Sequence, residues 1–79
     1  MEILLDKIDK VKEFVHIAES VPEDVTVVSG RYVIDGKSIM GILSLNLLEP
    51  VTVDVLTSNT DLKIQFFKRL ETFAYKKDK

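Results

Sequence analysis

His16 is the single imidazole in a chain of 79 residues, so it is the first candidate for acid–base or phosphate-transfer chemistry. Around it, Ile8, Val11, Phe14, Val15 and Ala18 recur at a spacing of three and four, which predicts one buried face of a helix. His16 lies off that stripe, near Lys12, and is expected on the solvated side. The carboxylates Glu2, Asp6, Asp9 and Glu13 gather near the start of the same helix. Paired carboxylates divide acid and base roles only where their surroundings separate their pKa values. Nothing here supplies such surroundings, and Asp6 or Asp9 is expected to cap the helix instead. Arg31-Tyr32 sets a cation beside an aromatic, a pairing that suits phosphate or nucleic acid; without a basic patch it reads as a sheet-surface pair. Within the segment Gly36–Leu45, Ser38 would begin a short helix whose next residues are unusually apolar. A helix N-cap serine fits that pattern. So does a modifiable serine beside an apolar docking patch, where a phosphate adds nearly two negative charges next to Ile39 and Met40.

Composition removes several chemistries. The chain has no cysteine, which excludes disulfides, thiolate metal sites and thiol nucleophiles. One histidine excludes a histidine-rich metal centre, and neither metal nor cofactor is expected. Gly30, Gly36 and Gly41 are too scattered for a phosphate-cradling loop. Eleven basic against thirteen acidic side chains give a net charge of −2, against the basic excess that general nucleic-acid binding needs. A single domain over 1–79 must offset roughly 1.5 kcal/mol of conformational entropy per ordered residue with a small core. Little apolar area then remains to enclose a catalytic pocket, so a carrier, adaptor or regulatory module is expected rather than an enzyme. Met1–Lys10 mixes acids and lysines with its apolar residues, unlike a signal peptide. The most apolar stretch, Ile39–Leu48, falls short of the roughly 20 residues of a membrane span, so a cytoplasmic protein without membrane contact is expected.

The elements that must position these residues follow from pattern. Ile3-Leu4-Leu5 reads as a short strand, and a helix is expected over about Ile8–Ser20. Pro22 stops it, because the proline ring disfavours helix at Val21. Val25–Val28 and Arg31–Ile34 read as strands joined at the Ser29-Gly30 turn signal, and Asp35-Gly36 closes the hairpin. A helix of one to two turns follows from Ile39. Val51–Val55 alternates apolar and polar residues as a half-buried strand does. Ser58-Asn59-Thr60-Asp61 supplies caps for a last helix, Leu62–Tyr75, whose apolar face is Leu62, Phe66, Leu70 and Phe73, joined by Phe67 and Ala74. Lys76-Lys77-Asp78-Lys79 reads as a frayed, solubilising tail. The order points to an α+β fold, a small antiparallel sheet with its helices on one side.

The run Val28–Leu45, with Lys37-Ser38-Ile39-Met40-Gly41 at its core, resembles the HPr family of phosphocarrier proteins of the bacterial sugar phosphotransferase system. The resemblance extends from Phe14-Val15-His16-Ile17-Ala18 to Val51–Val55 and weakens in the final helix. It implies an open-faced β-sandwich, a four-stranded antiparallel sheet with three helices on one face, in the order βαββαβα. Active members of that family carry phosphate on a histidine within Gly-x-His-x-Arg-Pro at the start of the first helix. Counted without a gap, the histidine's place falls on Lys7, the arginine's on Asp9 and the proline's on Lys10, and His16 aligns with the helix body. The implied protein is therefore a divergent member that has lost the phosphohistidine, with Asp9 repelling phosphate where a cation should attract it.

In Gram-positive members the serine in this context is phosphorylated by an ATP-dependent kinase, and the phosphoprotein signals in carbon catabolite control. Ser38 matches that position, and Lys37, Ile39, Met40, Gly41 and Leu43 match the surrounding docking surface. The expectation is a regulatory, non-enzymatic protein acting through Ser38 phosphorylation or docking of the 38–45 segment. Its implied partners are an HPr-type serine kinase, phosphotransferase-system proteins or catabolite-control proteins. One alternative is an HPr-fold interaction module without phosphate chemistry, homodimeric through an exposed apolar surface or a sheet edge. Another is an active phosphocarrier that uses His16 or a carboxylate.

Overall fold

The computed structural model describes residues 1–75. Its elements run β1 (Glu2–Ile3), α1 (Ile8–Glu19), β2 (Val25–Ser29), β3 (Tyr32–Asp35), α2 (Ile39–Leu43), β4 (Val51–Val55) and α3 (Thr60–Arg69), followed by a 3₁₀ turn at Glu71–Phe73. The strands form one antiparallel sheet in the order β1-β4-β2-β3. Period-two alternation decides which side is covered. Val51, Val53 and Val55 are buried while Thr52 and Asp54 face solvent, and β2 buries Val25 and Val27 in register with Val55 and Val53. Against that face lie Val11, Phe14, Val15 and Ala18 of α1, Ile42 of α2, and Phe66 and Leu70 from α3 and its end. The opposite face of the sheet is open, so the molecule is an α+β open-faced sandwich, as expected. Among the described residues, no polar or charged residue is buried.

Several boundaries differ from the sequence reading. β1 is Glu2–Ile3 rather than Ile3–Leu5, because only those residues pair with β4; Leu5 is nevertheless buried in the core. Neither Asp6 nor Asp9 caps α1: the N-cap is Lys7, with no side-chain bond, and the helix stops at Glu19, one residue short. The hairpin turn is Gly30-Arg31, one residue further on than Ser29-Gly30, since Ser29 still pairs with Tyr32. Gly30 has φ +59°, the left-handed value that two-residue hairpin loops require and L side chains resist.

The largest difference is at the C-terminal end. A continuous helix to Tyr75 was expected, but α3 ends at Arg69 and the chain leaves it at Leu70, with φ −93° and ψ 2°. The backbone then reaches β1: Ala74 bridges Ile3, Leu4 N donates to the Phe73 carbonyl at 2.8 Å, and Tyr75 N donates to the Glu2 carbonyl at 3.0 Å. Those bonds occupy backbone groups on the outer edge of β1 that a longer helix would have left open. The charged tail at 76–79 lies outside the described residues. Among the described residues, no helix is long and apolar enough to cross a membrane.

Candidate functional site

Ser38 sits at the N-cap of α2 in extended backbone, and its Oγ accepts a bond from Gly41 N–H at 3.1 Å. It is half-buried. The turn before it is fixed on both sides. Asp35 Oδ1 accepts from Lys37 N–H at 2.9 Å, and the Asp35 carbonyl accepts from Ser38 N–H at 3.0 Å. Lys37 Nζ donates to the Val21 carbonyl at 2.8 Å, so that amine is engaged with the loop after α1.

Gly41 permits the helix to approach β3. A Cβ there would lie 2.8 Å from Ile34 Cγ2 and 3.1 Å from Ser38 Oγ, so the absent side chain is what lets α2 lie against Ile34. Ile42 is fully buried, and Ile39 and Leu43 are half-buried against the core. Met40 alone of the five helical residues is exposed, at 76%. The segment therefore presents one flexible apolar side chain, two residues from a hydroxyl, on a helix otherwise held to the core.

The start of α1 is different. Lys7 and Asp9 are exposed, and Lys10 Nζ lies 2.9 Å from Asp6 Oδ1. The hydrogen bond from Lys10, helped by its charge, holds the Asp6 carboxyl below its ordinary range, against a smaller opposing effect of desolvation. His16 is exposed in the last turn of α1, nine residues on from Lys7, or roughly 13 Å along the axis. Glu2 and Glu13 are also exposed. Among the described residues, no three histidine or carboxylate side chains come together as a metal site would need.

One feature had no clear signal in the sequence. A cleft of about 530 Å³ opens between the hairpin turn and the loop after α2, lined by Ser29, Arg31, Tyr32, Ser44, Asn46 and Glu49 among others. Arg31 and Tyr32 were individually noticeable, but Asn46 and Glu49 reach the cleft only through the tertiary path of the loop. Part of the lining is internally committed: Ser44 Oγ donates to the Gly41 carbonyl, and Asn46 Oδ1 accepts from Leu48 N–H at 3.1 Å.

No protein-family model and no curated protein matches the sequence. Among solved structures, the crystal structure of HPr-C-His from Thermoanaerobacter tengcongensis matches with a TM-score of 0.72. The match covers 91% of this chain and 90% of that chain at 20% identity. The fold is the HPr fold. At that identity the likeness is one of backbone path, and the HPr path runs over nearly the whole chain.

Proposed function

We propose that this chain is an HPr-fold regulatory protein, related to the phosphotransferase system, that carries no phosphate on its first helix. A partner reads it through the 38–45 segment, and Ser38 is the residue that is modified. The observation that carries this reading is the 76% exposure of Met40 beside Ser38, on a helix whose other apolar residues are engaged with the core. Exposing a large apolar side chain on an otherwise anchored helix is what a docking surface requires. The start of α1 supports the negative half of the reading. Lys7, Asp9 and Lys10 offer no imidazole to accept a phosphoryl group, and Asp9 adds a negative charge where the group would arrive.

Phosphorylation would transfer the γ-phosphoryl group of ATP to Ser38 Oγ: the bond from the γ-phosphorus to the β,γ-bridging oxygen breaks, ADP leaves, and the hydroxyl proton is released. The cap to Gly41 N–H would then be made by an esterified oxygen or a phosphate oxygen, and the surface near Met40 would gain close to two negative charges. The partners of this reading are an HPr-type serine kinase and phosphotransferase-system or catabolite-control proteins of a bacterial cytoplasm. The protein itself is not an enzyme.

Labelled-phosphate transfer from two donors tests it. An HPr-type serine kinase with ATP should label the protein, and Ser38→Ala should abolish the label. The first enzyme of the phosphotransferase system with phosphoenolpyruvate should leave no acid-labile label. Acid-labile label from phosphoenolpyruvate would overturn the reading in favour of a phosphocarrier.

A further inference from the structure

The tip of the β2–β3 hairpin and the loop after α2 form the two walls of the 530 Å³ cleft. β4 pairs with β2 only as far as Val28, so Ser29 to Tyr32 extend past that pairing. α2 ends at Leu43, and no helix covers the helix-side face of the tip. Tyr32 shares that face with Ile34, whose strand partner Val27 is buried, because side chains two apart on a strand point the same way. Across from the tip the chain turns at Asn46 to Glu49. Glu49 N–H donates to the Asn46 carbonyl at 3.3 Å, and Leu48 N–H donates to Asn46 Oδ1 at 3.1 Å. That turn is therefore held by its own bonds, and it leaves the Asn46 NH₂ group free to donate. Arg31 stands on one wall and Glu49 on the other, both exposed. Neither is in an ion pair among the described residues. Ile34 and Leu45, both half-buried, make the apolar part of the lining together with the ring of Tyr32, which is 67% exposed.

This lining narrows the ligand. An anion without a cationic group would satisfy Arg31 and be repelled by Glu49, and a cation alone would meet the reverse. A wholly apolar molecule would desolvate both charges with nothing in return. The complement is a carboxylate and an ammonium close together with an apolar group beside them. A protein terminus offers one of those charges and a chain interior neither, so the pair selects a free amino acid over a segment of a partner. We propose that the cleft binds a free α-amino acid with an aromatic side chain. Its carboxylate accepts from the Arg31 guanidinium and the Asn46 amide, and its ammonium donates to the Glu49 carboxylate. Its ring lies against Tyr32, over Ile34 and Leu45. The cleft's volume falls within the roughly 300–1,000 Å³ usual for small-molecule sites. Binding here is independent of the Ser38 reading, and either can fail alone.

So small a ligand in an open cleft binds weakly, with a dissociation constant on the order of 1 mM. Backbone ¹H–¹⁵N shifts recorded while L-phenylalanine is added to about 20 mM, at about pH 6 where α-amino groups keep their proton, measure it. The amides of Gly30 to Tyr32 and Leu45 to Glu49 should shift and saturate. N-acetyl-L-phenylalanine lacks the ammonium and L-phenylalaninamide lacks the carboxylate, and each should bind at least about tenfold more weakly. Arg31→Gln and Glu49→Gln should each weaken L-phenylalanine by a similar factor. Both side chains are exposed, and the same spectra show that the variants keep the fold. The absence of saturable shifts at about 20 mM overturns the proposal, as does a set of shifts centred outside the two walls. Binding of either blocked compound as tightly as L-phenylalanine overturns it too, and so does binding indifferent to Arg31→Gln or to Glu49→Gln.

Discussion

Lys37 Nζ donates to the main-chain carbonyl of Val21 at 2.8 Å, across 16 residues of sequence. The bond ties the turn before Ser38 to the end of α1, just where Pro22 has stopped the helix from supplying its own donor to that carbonyl. The residue before the candidate serine thus helps hold the site in place. Lys37→Met keeps much of the aliphatic stem and removes the ammonium. It should lower unfolding stability by about 1 kcal/mol, since the bond is charge-assisted but only part-buried, and urea denaturation measures the change. An unchanged urea midpoint would mean the bond contributes nothing in solution.

Ser38 has a capping role that can be separated from a signalling one. Ser38→Ala removes the acceptor for Gly41 N–H and should cost about 1 kcal/mol. Ser38→Asp restores a cap acceptor and should recover most of that stability, yet a serine kinase cannot phosphorylate it. Equal stability losses in both variants would contradict the capping geometry.

Met40 and Ile42 are two residues apart on α2 and should behave oppositely. Met40 is exposed, so Met40→Ala should change stability by less than about 0.5 kcal/mol while weakening partner binding. Ile42 is fully buried, and Ile42→Ala should cost about 2–5 kcal/mol through lost burial and a cavity. Paired denaturation and titration experiments read both effects. A Met40→Ala variant that binds partners as well as the wild type would remove the docking role.

Asp6 gives a pH dependence with a definite sign. Its folded pKa lies below the ordinary aspartate value because Lys10 donates to it and adds a favourable charge. The resulting stabilisation is present above the unfolded value, about pH 3.9, and is lost as pH falls through the depressed folded one. Lys10→Gln should move the Asp6 carboxyl titration, followed by carbon-detected NMR, upward towards the ordinary range. A midpoint that does not move would place the cause of the shift elsewhere.

The sequence was most legible where one local rule decides the outcome. Val51–Val55 alternates so regularly that its limits were read correctly, and Asn59 takes the cap position expected within Ser58–Asp61, accepting from Leu62 N–H at 3.1 Å. It was least legible where distant residues decide. The spacing of Leu62, Phe66, Leu70 and Phe73 fits a continuous helix, but Leu70 and Phe73 are buried equally well by a 3₁₀ turn. That turn frees Ala74 to bridge Ile3, 71 residues earlier, a partnership no local pattern announces. Asp6 was misread for a related reason: a carboxylate before a helix suggests a cap, and the i,i+4 lysine took it instead. At the candidate site, the order Lys37-Ser38-Ile39-Met40-Gly41 marked a capped helix, but not that Ile39 and Leu43 would be half-buried while Met40 stands out.

The central claim is that partners read α2 and not the start of α1. Backbone ¹H–¹⁵N chemical shifts, recorded while an HPr-type serine kinase is added, test it most directly. The account predicts perturbations centred on Lys37 to Leu45, with Ser38 and Met40 the strongest. Perturbations centred on Lys7 to Lys10, or none at saturating kinase, would contradict it.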